Sequence, residues 1–499
     1  MRTLAVTLAV LLLTLCSACK VTEEDIENWK GTMKGPGKLV AVVLTPKYSM
    51  ELRSRAAIAL VEMERNDIEG IVELQHALRR LDEPTRIQLI DAMKDPLITI
   101  MRGGASAPAG GAAVTTGPTP LQIRAKDAGF LLITDSSAAT RTALTNAVVG
   151  WYVEDFNGRA LSGKFSAEQV VRQLGAPAAT VLVSALNEHM PKEAIIKLSE
   201  LIGQLGETAT KATAATRLIA IERAMESDEF LNWVKGKIRA QMSAGGGRVD
   251  ENRVNAGAVL NRETFINDGA LPAMKFLADQ PVVANRLIEI AASAQQSETR
   301  RTRALLALEG KATEAQLEAL LNIALDANTP AGVRDNAFDR IGDVRSTGSL
   351  ARLWPLITAA GTEQRLRWRV GELVLGIGGG SVVAEFISKL PAAAGAEYAP
   401  EELDGYAQKM GQMTPAPTDA IRAQLQSPRW YMRVIALRYF ARKGVASDEA
   451  AMQALTRDSA PVHGPANSWP ASATVGTAAT EAIAFMHERL TQAADEAAH

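Results

Sequence analysis

One pattern recurs along this chain and constrains its fold more than any other feature. An arginine is followed three positions on by a small or apolar residue, and four positions later by a large apolar one. It stands as Arg301-Ala304-Leu308, Arg334-Ala337-Ile341, Arg367-Val370-Val374 and Arg433-Ala436-Phe440. The arginines lie 33, 33 and 66 residues apart, and the copy skipped in the last interval falls near Pro400. There "PEELDGYA" lacks the arginine but can still start a helix. Arg53-Ala56-Leu60 and Arg86-Leu89-Met93 repeat the same 33-residue step near the N-terminus. A fixed period of this size is the mark of stacked structural repeats.

Positions three and seven beyond the arginine share one face of a helix, so each copy presents a narrow apolar stripe. The small residue lets a neighbouring helix come close. Turn signals lie just upstream, as "NTPAG" before Arg334 and "QSPRW" before Arg433. A Thr or Ser there is expected to cap the helix, with Pro330 or Pro428 in its first turn. A partner helix is expected over "ATEAQLEALLNIALDAN", with Leu317, Leu320, Leu321 and Leu325 as its own stripe. Two helices and two turns fill about one period, and a lone hairpin cannot bury both faces, so the hairpins must stack. Aromatic residues make up 5% of the chain and alternating β-type runs are scarce, which also points to packed helices.

The segments "SMELRSRAAIALVEM", "TPAGVRDNAFDRIGDV" and "PRWYMRVIALRYFARKG" resemble the second helix of HEAT-type repeats, related to the HEAT-like repeats of bilin lyases. Val333, Arg334, Ala337, Ile341 and Gly342 fall on that family's Val-Arg-x-x-Ala-x-x-x-Leu-Gly pattern. The resemblance covers about 38–100 and 290–445 and implies an all-α solenoid of stacked helical hairpins. The family often places an Asp six residues before the Arg. Gln295, Asn328, Gly361 and Ser427 stand there instead, leaving Asp335 or Asp339 as partners for Arg334. Arg141-Leu144-Val148 reads as a further copy, shifted out of register by the Gly/Pro/Ala-rich stretch 102–120.

The chain's two cysteines are Cys16 and Cys19. Arg2 precedes an apolar run from Leu4 to Leu15, and Ser17 and Ala18 lead into Cys19, the layout of a secretory signal. The run is about 12 residues, short of the ~20 that span a bilayer. Its end resembles the lipobox of bacterial lipoproteins, with Cys16 where that motif usually has Leu. The resemblance implies cleavage before Cys19, acylation of Cys19 and membrane anchoring, and Lys20 in place of an Asp favours the outer membrane. With residues 1–18 removed, no thiol remains, as suits an oxidising envelope. The remaining 53 basic and 56 acidic residues give a formal charge near −3, which argues against nucleic acid.

The expected organisation is a signal peptide over 1–18, a tether over 19–37 and HEAT-like repeats over 38–101. The insertion 102–120 and an irregular helical region over 121–289 follow. HEAT-like repeats resume over 290–457, with a loop over 458–477 and a C-terminal helix over 478–499.

Motifs for chemistry are weak. The histidines 76, 189, 463, 487 and 499 show no metal-ligand spacing on one helix, so no metal or cofactor is expected. "GIGGGS" (376–381) lacks the lysine and preceding strand of a phosphate loop and reads as a turn ending a helix. Ser, His and Asp around 458–463 do not make a triad, which needs separate rigid elements. The basic clusters "RRTR", "RLRWR" and "PRWYMR" would form a positive ridge if stacked in register. Arg367, Trp368, Arg369, Arg429 and Trp430 are its candidate contacts for an envelope protein partner. The expected function is a lipid-anchored scaffold or adaptor rather than an enzyme. The alternatives are a HEAT-like lyase or hydrolase using carboxylates, or a polar-ligand-binding module.

Overall fold

The computed structural model describes residues 21–63, 69–104, 117–245, 248–359, 361–391 and 397–498. Cys19 and the whole signal-like segment lie outside these residues, as does most of the 102–120 stretch. Among the described residues every regular element is helical, apart from one isolated antiparallel bridge between Pro461 and Thr474. The chain divides into two compact units at Gln280 and Pro281.

Only helices of seven residues or more are numbered. The first unit holds α1 (Glu23–Trp29), α2 (Gly35–Leu44), α3 (Met50–Glu62), α4 (Gly70–Arg79), α5 (Glu83–Met101), α6 (Pro120–Leu132) and α7 (Ala138–Val153). It continues through α8 (Ala167–Leu174), α9 (Ala176–Ala185), α10 (Lys192–Leu205), α11 (Thr208–Glu226), α12 (Asp228–Ala244) and α13 (Glu251–Phe265). The second unit holds α14 (Pro281–Ala292), α15 (Glu298–Ala307), α16 (Glu314–Leu325), α17 (Ala331–Val344) and α18 (Leu350–Thr358). After these come α19 (Gln364–Gly378), α20 (Val383–Lys389), α21 (Pro400–Gly411), α22 (Trp430–Lys443) and α23 (Val475–Ala498).

The helix starts follow local chemistry. Ser49, Asp82, Ser137 and Ser297 each accept a hydrogen bond from the backbone N–H three residues on, satisfying a donor that a helix start leaves free. The two prolines fall earlier than expected: Pro330 is itself the cap position of α17, with no side-chain cap, and Pro428 precedes Arg429 at the cap of α22. Of the expected tether 19–37, residues 21–37 are described and are largely helical. A Thr22–Asp25 capping box opens α1, Ile26 is fully buried and Gly35 already starts α2.

The second unit is a stack of hairpins. One row of helices runs α15, α17, α19, α21, α22 and α23, each packed on the next, while α14, α16 and α18 pack behind α15, α17 and α19. The apolar stripe places the row. Ala304, Ala337 and Ala436 are fully buried, as are Leu308, Ile341, Val374 and Phe440. In the first unit Ala56, Leu89, Met93, Leu144 and Val148 are equally buried and Leu60 nearly so. The out-of-register copy at Arg141 is therefore the core-facing stripe of α7. The copy without an arginine is α21.

In three of the copies the repeated arginine ties its hairpin to itself. Arg53 Nε donates to Val43 O at 2.8 Å, Arg301 Nε to Ala291 O at 2.7 Å and Arg334 Nε to Ala324 O at 3.1 Å. Each acceptor is ten residues upstream and is the penultimate residue of the preceding helix. The last carbonyls of a helix lack intrahelical donors, and the guanidinium supplies one. Arg334 therefore meets a helix end and neither Asp335 nor Asp339, which pair elsewhere. Arg367 differs, because it reaches forward to α21.

The run Gln364–Lys389 is long and apolar enough by composition to cross a bilayer. It is nevertheless two packed helices, broken at Gly379 with φ of +58°, and Val370, Val374, Leu375 and Phe386 are buried within the unit.

Candidate functional site

The five surface residues expected from the basic clusters separate into three environments. Arg367 is buried, 6% exposed. Its Nε and Nη2 hold both oxygens of Glu402 at 2.9 and 3.0 Å, and Nη2 also donates to Glu397 O at 2.7 Å. Its guanidinium lies 4.4 Å from the Tyr398 ring centre, and the Tyr406 hydroxyl donates to Glu402 at 2.9 Å. Burial pushes the Glu402 carboxyl and the Tyr406 hydroxyl up, while the carboxylate opposes the desolvation of Arg367 and holds its pKa above normal. Arg367 is thus a core ion pair between α19 and α21, and the reading of it as a surface contact is corrected. The missing arginine of α21 explains the pair. The carboxylate two residues after the vacant position receives the arginine of the previous repeat.

Arg429 is spent on helix ends, donating to Ile387 O at 2.7 Å and Leu390 O at 3.2 Å. Trp430 packs in an aromatic cluster with Tyr398, Tyr431, His463 and Trp469, at ring-centre distances of 5.7–6.3 Å. Trp469 Nε1 donates to Tyr398 O at 2.8 Å and Tyr398 N to His463 O at 2.9 Å, so the 458–474 segment is pinned across α21 and α22. These contacts give the half-buried Arg429 and Trp430 a part in the packing, away from the ladder of pairs on the accessible face.

Trp368 and Arg369 remain on the accessible face, and there the ridge is a ladder of pairs. Arg365 meets Asp335 at 3.0 Å, and Arg369 pairs with Asp339. Both partners step by four residues in the same direction, so α17 and α19 run parallel. Further along the row, Arg438 and Arg442 both hold Asp404 of α21, at 2.9 and 2.7 Å. Acidic and basic stripes therefore alternate from helix to helix, and the described residues form no continuous positive ridge. Pairs this exposed contribute little, about 0–1 kcal/mol each.

Three contiguous hollows run along the same seam. A hollow of about 70 Å³ lies between Arg334, Phe338 and Leu366, sharing Asp335 and Arg365 with the next. That one, about 360 Å³, is lined by Asp335, Arg365, Trp368, Arg369 and Glu372. Arg369 and Glu372 lead into a third of about 700 Å³, walled by the ends of α17, α19 and α21 and including Arg345 and Lys409. A Cβ on Gly405 would stand 2.3 Å from Glu372 Oε1 and 2.7 Å from Trp368 Nε1, so the bare backbone there lets both side chains occupy the groove wall. Sequence reading missed Glu372, Arg345, Lys409 and the acidic partners. The signal was present in Asp335 and Asp339, spaced like Arg365 and Arg369 and 30 residues before them.

Other clusters of ionisable groups are fully engaged. Lys126, fully buried, donates to Asp127, the Tyr152 hydroxyl and the carbonyls of Ser162 and Phe165, pinning the 160–166 loop to α6 and α7. Among the described residues no group of three His, Cys, Asp or Glu is placed to hold a metal ion. His463, the histidine of the 458–463 segment, meets Trp430 edge to face.

The two rows of helices in the second unit define an all-α solenoid of stacked helical hairpins. No family model matches the chain, and no curated protein matches it. Among solved structures it is similar to an engineered protein at 14% identity, covering 91% of this chain and 98% of that one, with a TM-score of 0.20. It is similar to the karyopherin Kap121p, bound to the SUMO protease Ulp1p, at 14% identity, 88% and 43% coverage and a TM-score of 0.27. Importin beta in an ammonium sulfate condition gives 12% identity, 95% and 64% coverage and a TM-score of 0.29. The chain spans less than two thirds of the length of these two proteins. At such TM-scores the structures do not superpose as wholes, and the solenoid assignment rests on the helix rows themselves.

Proposed function

We propose that this protein is a lipid-anchored scaffold of the bacterial cell envelope that binds protein partners along the α17–α19–α21 face of its second unit. The observation that carries the binding role is the chain of three hollows, which is longer and shallower than a pocket built around one reacting atom. Such a surface suits an extended partner held by many contacts, with Trp and Arg as anchors. Trp368 and Arg369 are the sequence-derived residues that remain in it. The binding role is favoured over catalysis because the fully buried Lys126 and Glu402 are tied into hydrogen bonds within the fold, and the fully buried Glu222 is also partnered. The anchor is supported by the signal-like run ending in Ser17-Ala18-Cys19, and the outer-membrane placement by Lys20. Two or three acyl chains at ~0.8 kcal/mol per buried methylene hold a domain of this size stably on a bilayer.

The test combines fractionation and capture. The full chain is expressed in a bacterial host with a labelled fatty acid, and Cys19→Ser is expected to lose the label and leave the membrane fraction. Proteins captured from detergent-solubilised membranes are expected to fall away with Trp368→Ala and Arg369→Glu together. Label retained on Cys19→Ser refutes the anchor, and undiminished capture by the double variant refutes the face.

A further inference from the structure

The groove carries charges that no described residue neutralises, and their placement says what kind of segment fits it. Asp335 and Asp339 are taken by Arg365 and Arg369, and Asp343 by Arg340 at 3.0 Å. Glu372, Arg345 and Lys409 have no ion-pair or side-chain hydrogen-bond partner among the described residues, yet all three line the 700 Å³ hollow. Glu372 stands beside the Trp368 indole on the shared wall of the two larger hollows. Arg345 follows the end of α17 in a left-handed conformation, with φ of 53°, and Lys409 lies in the last turn of α21. Among the described residues, the two larger hollows therefore hold one unpaired anion on their shared wall and two unpaired cations in the larger of them, while the smallest hollow adds the unpaired Glu363.

We propose that this groove takes an extended polypeptide segment of mixed charge, seating an acidic side chain between Arg345 and Lys409 and a basic one on Glu372 beside Trp368. The proposal rests on the scaffold reading above and deepens it. Length agrees. The 15 residues of α19 span about 22 Å, which matches about six or seven extended residues at ~3.3 Å each. Spacing agrees as well. Counted from the Asp339–Arg369 pair, Glu372 lies about 4.5 Å and Arg345 about 9 Å further along the parallel helices. The offset of about 4.5 Å is about 2.5 Å short of the ~7 Å between an acid and a base two residues apart on one strand face, a difference within reach of the long Arg345 and Lys409 side chains. A basic side chain on Glu372 also gains the electron-rich face of the indole.

The probe is a library of nine-residue peptides, acetylated and amidated so that only side chains carry charge, selected on the full chain. Selection is expected to favour Asp or Glu and Lys or Arg two or three positions apart. Arg345→Glu with Lys409→Glu is expected to weaken the selected peptide at least tenfold and abolish only the acidic preference. Glu372→Arg is expected to abolish only the basic one. Circular dichroism on the same samples identifies any variant that fails to fold. A library with no charge pattern, or one whose pattern survives both variants, overturns the proposal. A photocrosslinking amino acid in place of Arg365, 74% exposed by its side chain, separates the two readings. If it still captures envelope proteins, the scaffold reading stands without the peptide chemistry. If it captures none, both fail.

Discussion

Arg367→Leu is the most informative single change, because it distinguishes a core ion pair from a surface contact. The substitution removes both bonds to Glu402 and the ring contact with Tyr398, while Leu fills much of the volume. Glu402, fully buried, is left with the Tyr406 hydroxyl as its remaining strong donor. Leaving one member of a buried pair uncompensated costs about 3–5 kcal/mol. In a unit of about 220 residues each kcal/mol shifts the thermal midpoint by about 2–4 °C, so a fall of about 6–20 °C is expected. The double variant Arg367→Leu/Glu402→Leu removes both charges and is expected to recover much of the loss. The pH dependence follows from Glu402, whose carboxyl is raised by burial. A folded pKa above the unfolded value means the folded state binds the proton more readily, so stability rises as pH falls through the folded value. The single variant is therefore expected to lose less stability at pH 5 than at pH 8. Thermal unfolding followed by circular dichroism at both values reads this directly. A loss below about 1 kcal/mol, or a double variant no better than the single, would refute the buried-pair account.

Three further outcomes follow from the same packing. Ala337→Glu, at a fully buried contact, is expected to be severely destabilising through overpacking and an unpaired buried charge, whereas Ala331→Glu at the exposed start of α17 is expected to be mild; equal shifts in thermal midpoint would contradict the register. Arg334→Met keeps the stem but removes the donor to Ala324 O, and is expected to cost about 1–2 kcal/mol by chemical denaturation, more than Arg365→Met on the surface. Gly405→Ala is expected to displace Trp368 or Glu372, visible as a change in tryptophan fluorescence and weaker peptide capture, with helix content retained.

The sequence by itself determined the class of fold and the inward face of its repeats. The 33-residue period, the alanine at the third position and the large apolar residue at the seventh are properties of one helix face, and Ala304, Ala337 and Ala436 could not face water without exposing the stripe beside them. Even the copy without an arginine was legible at Pro400, because helix starts and apolar spacing are local signals. What the arginines do was not legible. Arg334 ends on a carbonyl ten residues back, Arg367 on a carboxylate 35 residues ahead, and Arg429 on the end of α20. One residue type in similar sequence surroundings thus serves three ends, since a guanidinium on a long flexible stem bonds to whichever acceptor the neighbouring helix brings within reach. The groove was hidden for the same reason. Glu372, Arg345 and Lys409 are ordinary charges in the sequence, and only the parallel stacking of α17, α19 and α21 leaves them unpaired along one channel.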